Sequence, residues 1–401
     1  VDTCNGVDDD QDGRTDEDDM AVESGSPVIL STDSPYTRAP VAASSRGFFV
    51  AFGAYCVEDD NFSDIMVNHI DTDGTVTVNT RPCAAVLGRR AYTSQDRASH
   101  LPALSSSGTD TAVLAWTEQV GSQSIEMMVA DLVLGGVSLS VLGPVSAGGM
   151  NSGYGATLAW GGVAMGPTAY LAGRTQGVSA NERARARLVT HDGPNQLVVG
   201  DDRELGPSTE GEVAVARVGS SYAAAWVDGQ SVMVRFLDAQ GQPSGPGPLA
   251  LARPAVPFYL QVVAVSDSRV VVAWAEAATN LGYPAEAIRL AAASVGDAHL
   301  TLVGGGFVTP EEEGHFALES AGGGELLVAV NDKAQGKLIL YRVNVTTGTV
   351  CQPGVDIWDG AVGPVGMAVR GHRGLLAYLR PLGSGSQQYQ VVAVRLRRSG
   401  T

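Results

Sequence analysis

The hydrophobic residues of this chain come in short runs and not in helical stripes. Val, Ala, Leu and aromatic side chains cluster, and Gly, Asp, Asn or Ser bounds each cluster. Such runs read as many short β-strands joined by turns. One run recurs: two or three apolar residues, an Ala, then a large residue. It reads FFVAF at Ala51, AVLAW at Ala115, PTAYL at Ala169, YAAAW at Ala225, VVVAW at Ala273, LLVAV at Ala329 and GLLAY at Ala377. The mean spacing of about 54 residues is that of a β-propeller, in which each blade is a four-stranded antiparallel sheet. Trp116, Trp226 and Trp274 share one position of the repeat and are expected to pack between blades.

One blade can be parsed strand by strand. After Ala225 come SVMVRFLD, the turn AQGQ and GPLALA, and then YLQVVAVSD and RVVVAW open the next blade. HIDTDGTVTV (69–78) has the same strand–turn–strand form, so its DTDG reads as a tight turn and not as a calcium loop. Closure tests the count. After Ala377 there is room for a third strand, QVVAVRLR, but for no fourth. PVILS (27–31) supplies the fourth, and RAPVAASS then opens blade one. The predicted fold is all-β: a seven-bladed propeller over 22–401, closed by an N-terminal strand that removes an open sheet edge. The pair Ala159–Trp160 is placed on an inner strand; on a second strand it would raise the count to eight.

Charge changes the picture at one end. The 401 residues hold 43 acids against 26 Lys and Arg, for a net charge of −17. Residues 1–20 contribute nine acids and one Arg, nearly half of the imbalance. So few cations argue against nucleic acid as a partner. No apolar run approaches membrane-spanning length, and no signal peptide is visible. The chain starts inside a motif, which leaves room for a leader or upstream domains.

That motif is Asp8-Asp9-Asp10-Gln11-Asp12-Gly13-Arg14-Thr15-Asp16, of the form D-x-D-x-D-G-x-x-D. Carboxylates at alternate positions converge on one point, and Gly at the sixth makes the sharp turn of a calcium loop. The expected Ca2+ ligands are Asp8, Asp10, Asp12, the Arg14 carbonyl, Asp16 and Asp19, within a loop domain over 1–21. The wider stretch CNGVDDDQDGRTDED resembles the metal-binding motif of secreted bacterial proteins, C-N-G-x-D-D-D-C-D-G-x-x-D-E, found in MopE-type surface proteins. Gln11 stands where that family has a second Cys. The resemblance covers about 16 residues and implies secretion and metal binding, not an activity. An all-oxygen ligand set suits calcium and lacks the soft ligands copper takes.

Four cysteines beside such a motif point to disulfides and an oxidising compartment; the alternative is buried free thiols. In the propeller reading, Cys56 and Cys83 end two strands of blade one on the same face. Cys351 starts the last strand of blade six, on the face where the N-terminal tail emerges, within reach of Cys4. Catalytic motifs are absent. The six His residues show no zinc spacing, and there is no nucleophile elbow or phosphate loop. Glu118, Asp228, Glu276 and Asp332 each follow the repeat's large residue by two positions, at strand ends near the face where propellers hold ligands. They read as solubilising strand ends more than as acid–base groups. Glu311-Glu312-Glu313 reads as a solvated loop, and Arg183, Arg185 and Arg187 as an exposed or salt-bridged strand face more than as an anion site. The expectation is a secreted, non-enzymatic binding, adhesion or structural module with a protein or glycan partner, or with copies of itself. The competing class is a carbohydrate-active hydrolase or lyase, or a lectin, using the channel face.

Overall fold

The computed structural model describes residues 20–23, 27–34, 38–55, 63–79, 102–120, 124–135, 138–149, 162–166, 168–176, 182–193, 196–209, 211–277, 286–309, 315–332, 337–358, 361–383 and 388–398. Among these there are strands and no helix, gathered into seven small antiparallel sheets. The first two strands, β1 (Met20–Val22) and β2 (Val28–Ser34), belong to the last sheet. Blade one is β3 (Val41–Ala43), β4 (Gly47–Tyr55), β5 (Ser63–Asp71) and β6 (Val76–Asn79). Blade two is β7 (Ala103–Ser106), β8 (Thr111–Val120), β9 (Ser124–Gly135) and β10 (Ser138–Gly149). Blade three is β11 (Gly162–Met165), β12 (Ala169–Gln176) and β13 (Arg183–His191), edged by β14 (Leu197–Val199) and β15 (Arg203–Pro207). Blade four is β16 (Val213–Val218), β17 (Ser221–Asp228), β18 (Ser231–Leu237) and β19 (Leu249–Ala252). Blade five is β20 (Phe258–Ala264), β21 (Arg269–Ala277) and β22 (Glu286–Ser294), edged by β23 (Thr301–Leu302) and β24 (Phe307–Thr309). Blade six is β25 (Phe316–Gly322), β26 (Glu325–Asp332), β27 (Lys337–Asn344) and β28 (Val350–Trp358). Blade seven is β29 (Val362–Arg370), β30 (Arg373–Pro381) and β31 (Tyr389–Arg398), completed by β1 and β2.

The innermost strands touch in a closed circle: β3 meets β7, then β11, β16, β20, β25 and β29 follow, and β29 returns to β3. The chain is therefore a seven-bladed propeller. β1 and β2 run in succession along β31, with Met20 opposite Arg398 and Val28 opposite Ala393. The expected closure strand is present, and β1 extends the pairing back to Met20.

Each blade interface has its own apolar core. The second strands explain why. They are buried on both faces, so they read as continuous apolar runs and lack alternation. In blade four, Ala223 and Ala225 face blade five, while Tyr222, Ala224 and Trp226 face blade three. Trp116, Trp226 and Trp274 all lie fully buried between blades. The Trp226 indole donates to the Pro207 carbonyl at 2.8 Å, which satisfies its buried N–H.

Blade three departs from the sequence reading. In the other six blades the repeat Ala is the fifth residue of the second strand. In β12 the fifth residue is Gly173, and Ala169 is the first. The run PTAYL is thus displaced by four residues. Space accounts for the change: a Cβ on Gly173 would lie 2.6 Å and 2.8 Å from the methyls of Val215 and Val213. The sixth position is Phe52, Trp116, Trp226, Trp274, Val330 or Tyr378 elsewhere, but Arg174 here. The pair Ala159–Trp160 lies outside the described residues, and β12 as second strand keeps the count at seven.

The DTDG segment is the β5–β6 turn. Gly74, with φ 91°, donates to the Asp71 carbonyl at 2.8 Å, and Asp73 accepts from the Thr75 N–H at 2.9 Å.

Candidate functional site at the channel mouth

The innermost strands all run the same way along the ring axis, so their first residues gather at one mouth of the channel. Four chemically active side chains stand there. Arg38 precedes β3, Glu212 precedes β16, Tyr259 is the second residue of β20 and His315 precedes β25. They come from blades one, four, five and six. Arg38 Nη2 donates to Glu212 Oε1, an ion pair between blades on opposite sides of the ring. Glu212 Oε2 also accepts the Leu260 backbone N–H at 2.8 Å, which ties blade five into the same cluster. Burial lowers the Arg38 pKa, and the Glu212 and Tyr259 groups beside it act in the opposite direction.

Tyr259 is held with φ 53°, in the left-handed region that a residue with a Cβ enters at a cost of about 1 kcal/mol or more. This backbone turn falls where β20 pairs irregularly with β21, between Phe258 and Gln261. It places the Tyr259 ring 4.7 Å from the His315 ring and 5.2 Å from that of Phe258. His315 is 2% exposed, and its carbonyl accepts the Asn331 N–H at 2.9 Å. Below the mouth, Gln261 bridges blades five and six: its amide donates to the Phe316 carbonyl at 2.6 Å and accepts from the Leu318 N–H at 3.0 Å. Further along the same inner strand, burial pushes the Glu319 carboxyl up to about 8, so it holds its proton at neutral pH.

The four acids read from the sequence do not assemble here. Glu276 faces the crevice between blades four and five. It accepts from Arg253 at 2.7 and 2.9 Å, from Arg289 at 3.1 Å and from the Trp274 indole at 3.0 Å. Burial alone would raise its pKa; the Arg253 hydrogen bonds, with those of Trp274 and Arg289, outweigh this and hold it below the usual carboxylate value. Its role is structural. Glu118 lies on β8, Asp228 ends β17 and Asp332 ends β26, one per blade.

A second constellation has the order of a nucleophile relay. Ser44 Oγ lies 2.7 Å from His69 Nε2, and His69 Nδ1 lies 2.7 Å from Thr77 Oγ1 and 3.5 Å from Asp71 Oδ1. Ser44 Oγ also accepts the Gly47 N–H at 2.9 Å. Both side chains are buried, which leaves no face for a substrate. The network fixes the blade-one hairpin.

Asp8, Asp10, Asp12, Arg14, Asp16 and Asp19 lie outside the described residues, as do Cys4, Cys56, Cys83 and Glu311-Glu312-Glu313. Cys351 is on β28, opposite Arg342. Among the described residues, no group of three or more His, Cys, Asp or Glu side chains is placed to hold a metal ion. No helix among them is long and apolar enough to cross a membrane.

No family model and no curated protein matches the chain. Solved structures match its fold. A hydrazine synthase of Kuenenia stuttgartiensis superposes with a TM-score of 0.50 at 13% identity, over 94% of this chain and 99% of that one. A polysaccharide lyase, an ulvan lyase bound to its GlcA-Rha3S ligand, gives 0.50 at 8% identity, over 92% and 95%. The Aleuria aurantia lectin, in complex with α-methyl-L-fucoside, gives 0.45 at 11% identity, over 82% and 97%. At these identities the likeness is one of fold.

Proposed function

We propose that this chain is an extracellular, calcium-stabilised propeller that binds a glycan at its channel mouth. It acts as a binding or adhesion module at the cell surface or in an extracellular assembly. The observation that carries the reading is the convergence of Arg38, Glu212 and Tyr259 from three separate blades, with the buried His315 ring packed behind Tyr259. Arg38 and Glu212 neutralise one another, which leaves fixed donors and acceptors without net charge. Tyr259 adds an aromatic ring packed against those of His315 and Phe258. A rigid aromatic face beside planar polar groups suits a sugar ring.

The test is a glycan array with the full chain, followed by calorimetry on the best ligand with Tyr259→Ala and Glu212→Gln. Each variant is expected to bind about tenfold more weakly while staying folded. Unchanged affinity in both variants, or no glycan bound by the parent chain, would overturn the reading. The lysis of a polysaccharide at the same mouth is the second reading. It is favoured by Tyr259 near Arg38, and by a carboxyl at Glu319 further along the channel that keeps its proton at neutral pH. New reducing ends, or the ultraviolet absorbance of unsaturated uronates, would select it.

The calcium loop supports the extracellular setting. Asp8, Asp10, Asp12, Asp16 and Asp19 with the Arg14 carbonyl would supply an oxygen set of the kind Ca2+ takes. The pairings Cys56–Cys83 and Cys4–Cys351 belong to the same proposal. Non-reducing peptide mapping tests them, and a link from Cys4 to Cys56 or Cys83 would refute it.

A further inference from the structure

The slot that holds an apolar side chain in the other six blades holds Arg174 in blade three. A buried guanidinium in an apolar slot is costly unless something compensates it. Arg174 is 1% exposed. It reaches across to blade two, where its Nε donates to the Gly149 carbonyl at 3.0 Å. Room for it comes from Gly148, with φ 117°: a Cβ there would lie 2.6 Å from Arg174 Nη2.

Arg174 is not alone. It lies opposite Arg185 in the β12–β13 register, and opposite residues share a face, so Arg183, Arg185 and Arg187 turn toward the same crevice. Among the described residues, two carboxylates answer these four cations. Asp202 accepts from Arg174 Nη2 at 2.9 Å and from Arg185 Nη1 at 3.0 Å, and lies 3.3 Å from Arg187 Nε. Glu204 is 3.5 Å from both Arg183 and Arg185, beyond good hydrogen-bond length.

The donors outnumber the acceptors. Four guanidinium groups carry about twenty N–H donors, while two carboxylates and the Gly149 and Glu182 carbonyls offer about twelve lone-pair sites. Among the described residues, Arg174 Nη1, Arg185 Nε and Arg187 Nε are buried and lack a hydrogen-bond partner, as does one acceptor, Asp202 Oδ1, which lies 3.3 Å from Arg187 Nε. Each such group forfeits its hydration without replacement. The cluster keeps two net positive charges on a chain that is otherwise acidic.

We infer that the crevice between blades two and three is a seat for a tetrahedral oxyanion of the sulfate class, bound by Arg174, Arg185 and Arg187. An oxyanion supplies acceptors where donors stand idle, offsets the surplus charge and suits the fork geometry of guanidinium groups. The group could arrive as the free ion or as a sulfate ester on a glycan. The seat is separate from the channel mouth, so the two readings stand or fall independently.

Calorimetry on the full chain tests this with three probes: inorganic sulfate, dextran sulfate and unsulfated dextran. Arg185→Gln/Arg187→Gln is the main variant, because those residues are half-buried and the substitution leaves the Arg174 slot intact. Its melting curve confirms folding. Sulfate binding is expected to weaken about tenfold or more in this variant. Asp202→Asn removes the competing carboxylate and should tighten sulfate binding about fivefold, a gain that a purely structural cluster would not produce. Dextran sulfate binding far tighter than sulfate, with dextran inert, identifies the ester as the source; equal affinities per sulfate identify the free ion. Absence of sulfate and dextran sulfate binding in the parent chain, or equal binding in the double variant, would overturn the proposal.

Discussion

Glu276 offers the sharpest test of how the ring is held. Its carboxylate is 2% exposed and binds Arg253, which is 12% exposed, and Arg289, which is 30% exposed. Glu276→Gln keeps the shape and can still accept from the Trp274 indole, but it strands two guanidinium groups in the crevice. Breaking one side of a buried pair costs about 3–5 kcal/mol, and the partial exposure of Arg289 favours the lower end, about 3. The pH dependence follows from the sign of the shift. The folded pKa lies below the unfolded one, so the carboxylate's contribution is fully present above the unfolded value of about 4.3. It is lost as pH falls through the folded value, where the protonated Glu resembles Gln. Urea unfolding, followed by tryptophan fluorescence, should show a gap of about 3 kcal/mol between parent and variant near neutral pH. The gap should shrink steadily as pH falls below the unfolded value and through the folded one. A gap below about 1 kcal/mol at neutral pH, or one that persists undiminished in acid, would refute the reasoning.

Three further outcomes are expected. Tyr259→Gly should be more stable to urea than Tyr259→Ala by about 1 kcal/mol, since both lose the ring but only Ala keeps the left-handed penalty; equal stability would deny the strain. Deleting residues 1–34 removes β1 and β2, so the truncated chain should melt lower and associate with concentration in light scattering, its β31 edge being open. In free calcium at about ten times the dissociation constant, the full chain should gain roughly 1.4 kcal/mol over the chelated state; a melting curve that ignores chelator would remove calcium from the account.

The second strands made the fold readable. Because they are buried on both sides, VLAW and VVAW stand out as unbroken apolar runs, and their spacing counts blades. Blade three escaped at residue level, since Gly173 and Arg174 replace the Ala and the aromatic that mark the repeat elsewhere. The channel mouth was not legible. Arg38, Glu212, Tyr259 and His315 share no local spacing; each merely lies at or before the start of an inner strand, and only ring closure brings them together. Glu276 shows the converse. Its position at a strand end was clear, but the crevice it turns into depends on Arg253 and Arg289, which no periodicity ties to it. For Arg183, Arg185 and Arg187, alternation gave the shared face, and salt bridges are present as read. The surplus of cations there became visible only with Arg174 opposite Arg185.

The pairing of β1 with β31 also bears on how the chain folds. Met20 finds Arg398 about 380 residues away, whereas the hairpins inside each blade close over a few residues. Joining ends that far apart costs roughly 3 kcal/mol more entropy than closing a ten-residue loop. Blades one to six can form from local contacts as the chain emerges, but blade seven waits for both ends. Ring formation is therefore a late step, slow for its topology. Until it occurs, the outer edge of β31 is open to other chains. A calcium loop just upstream of β1 would then act on folding speed as well as on final stability, by ordering the segment that must find its partner last.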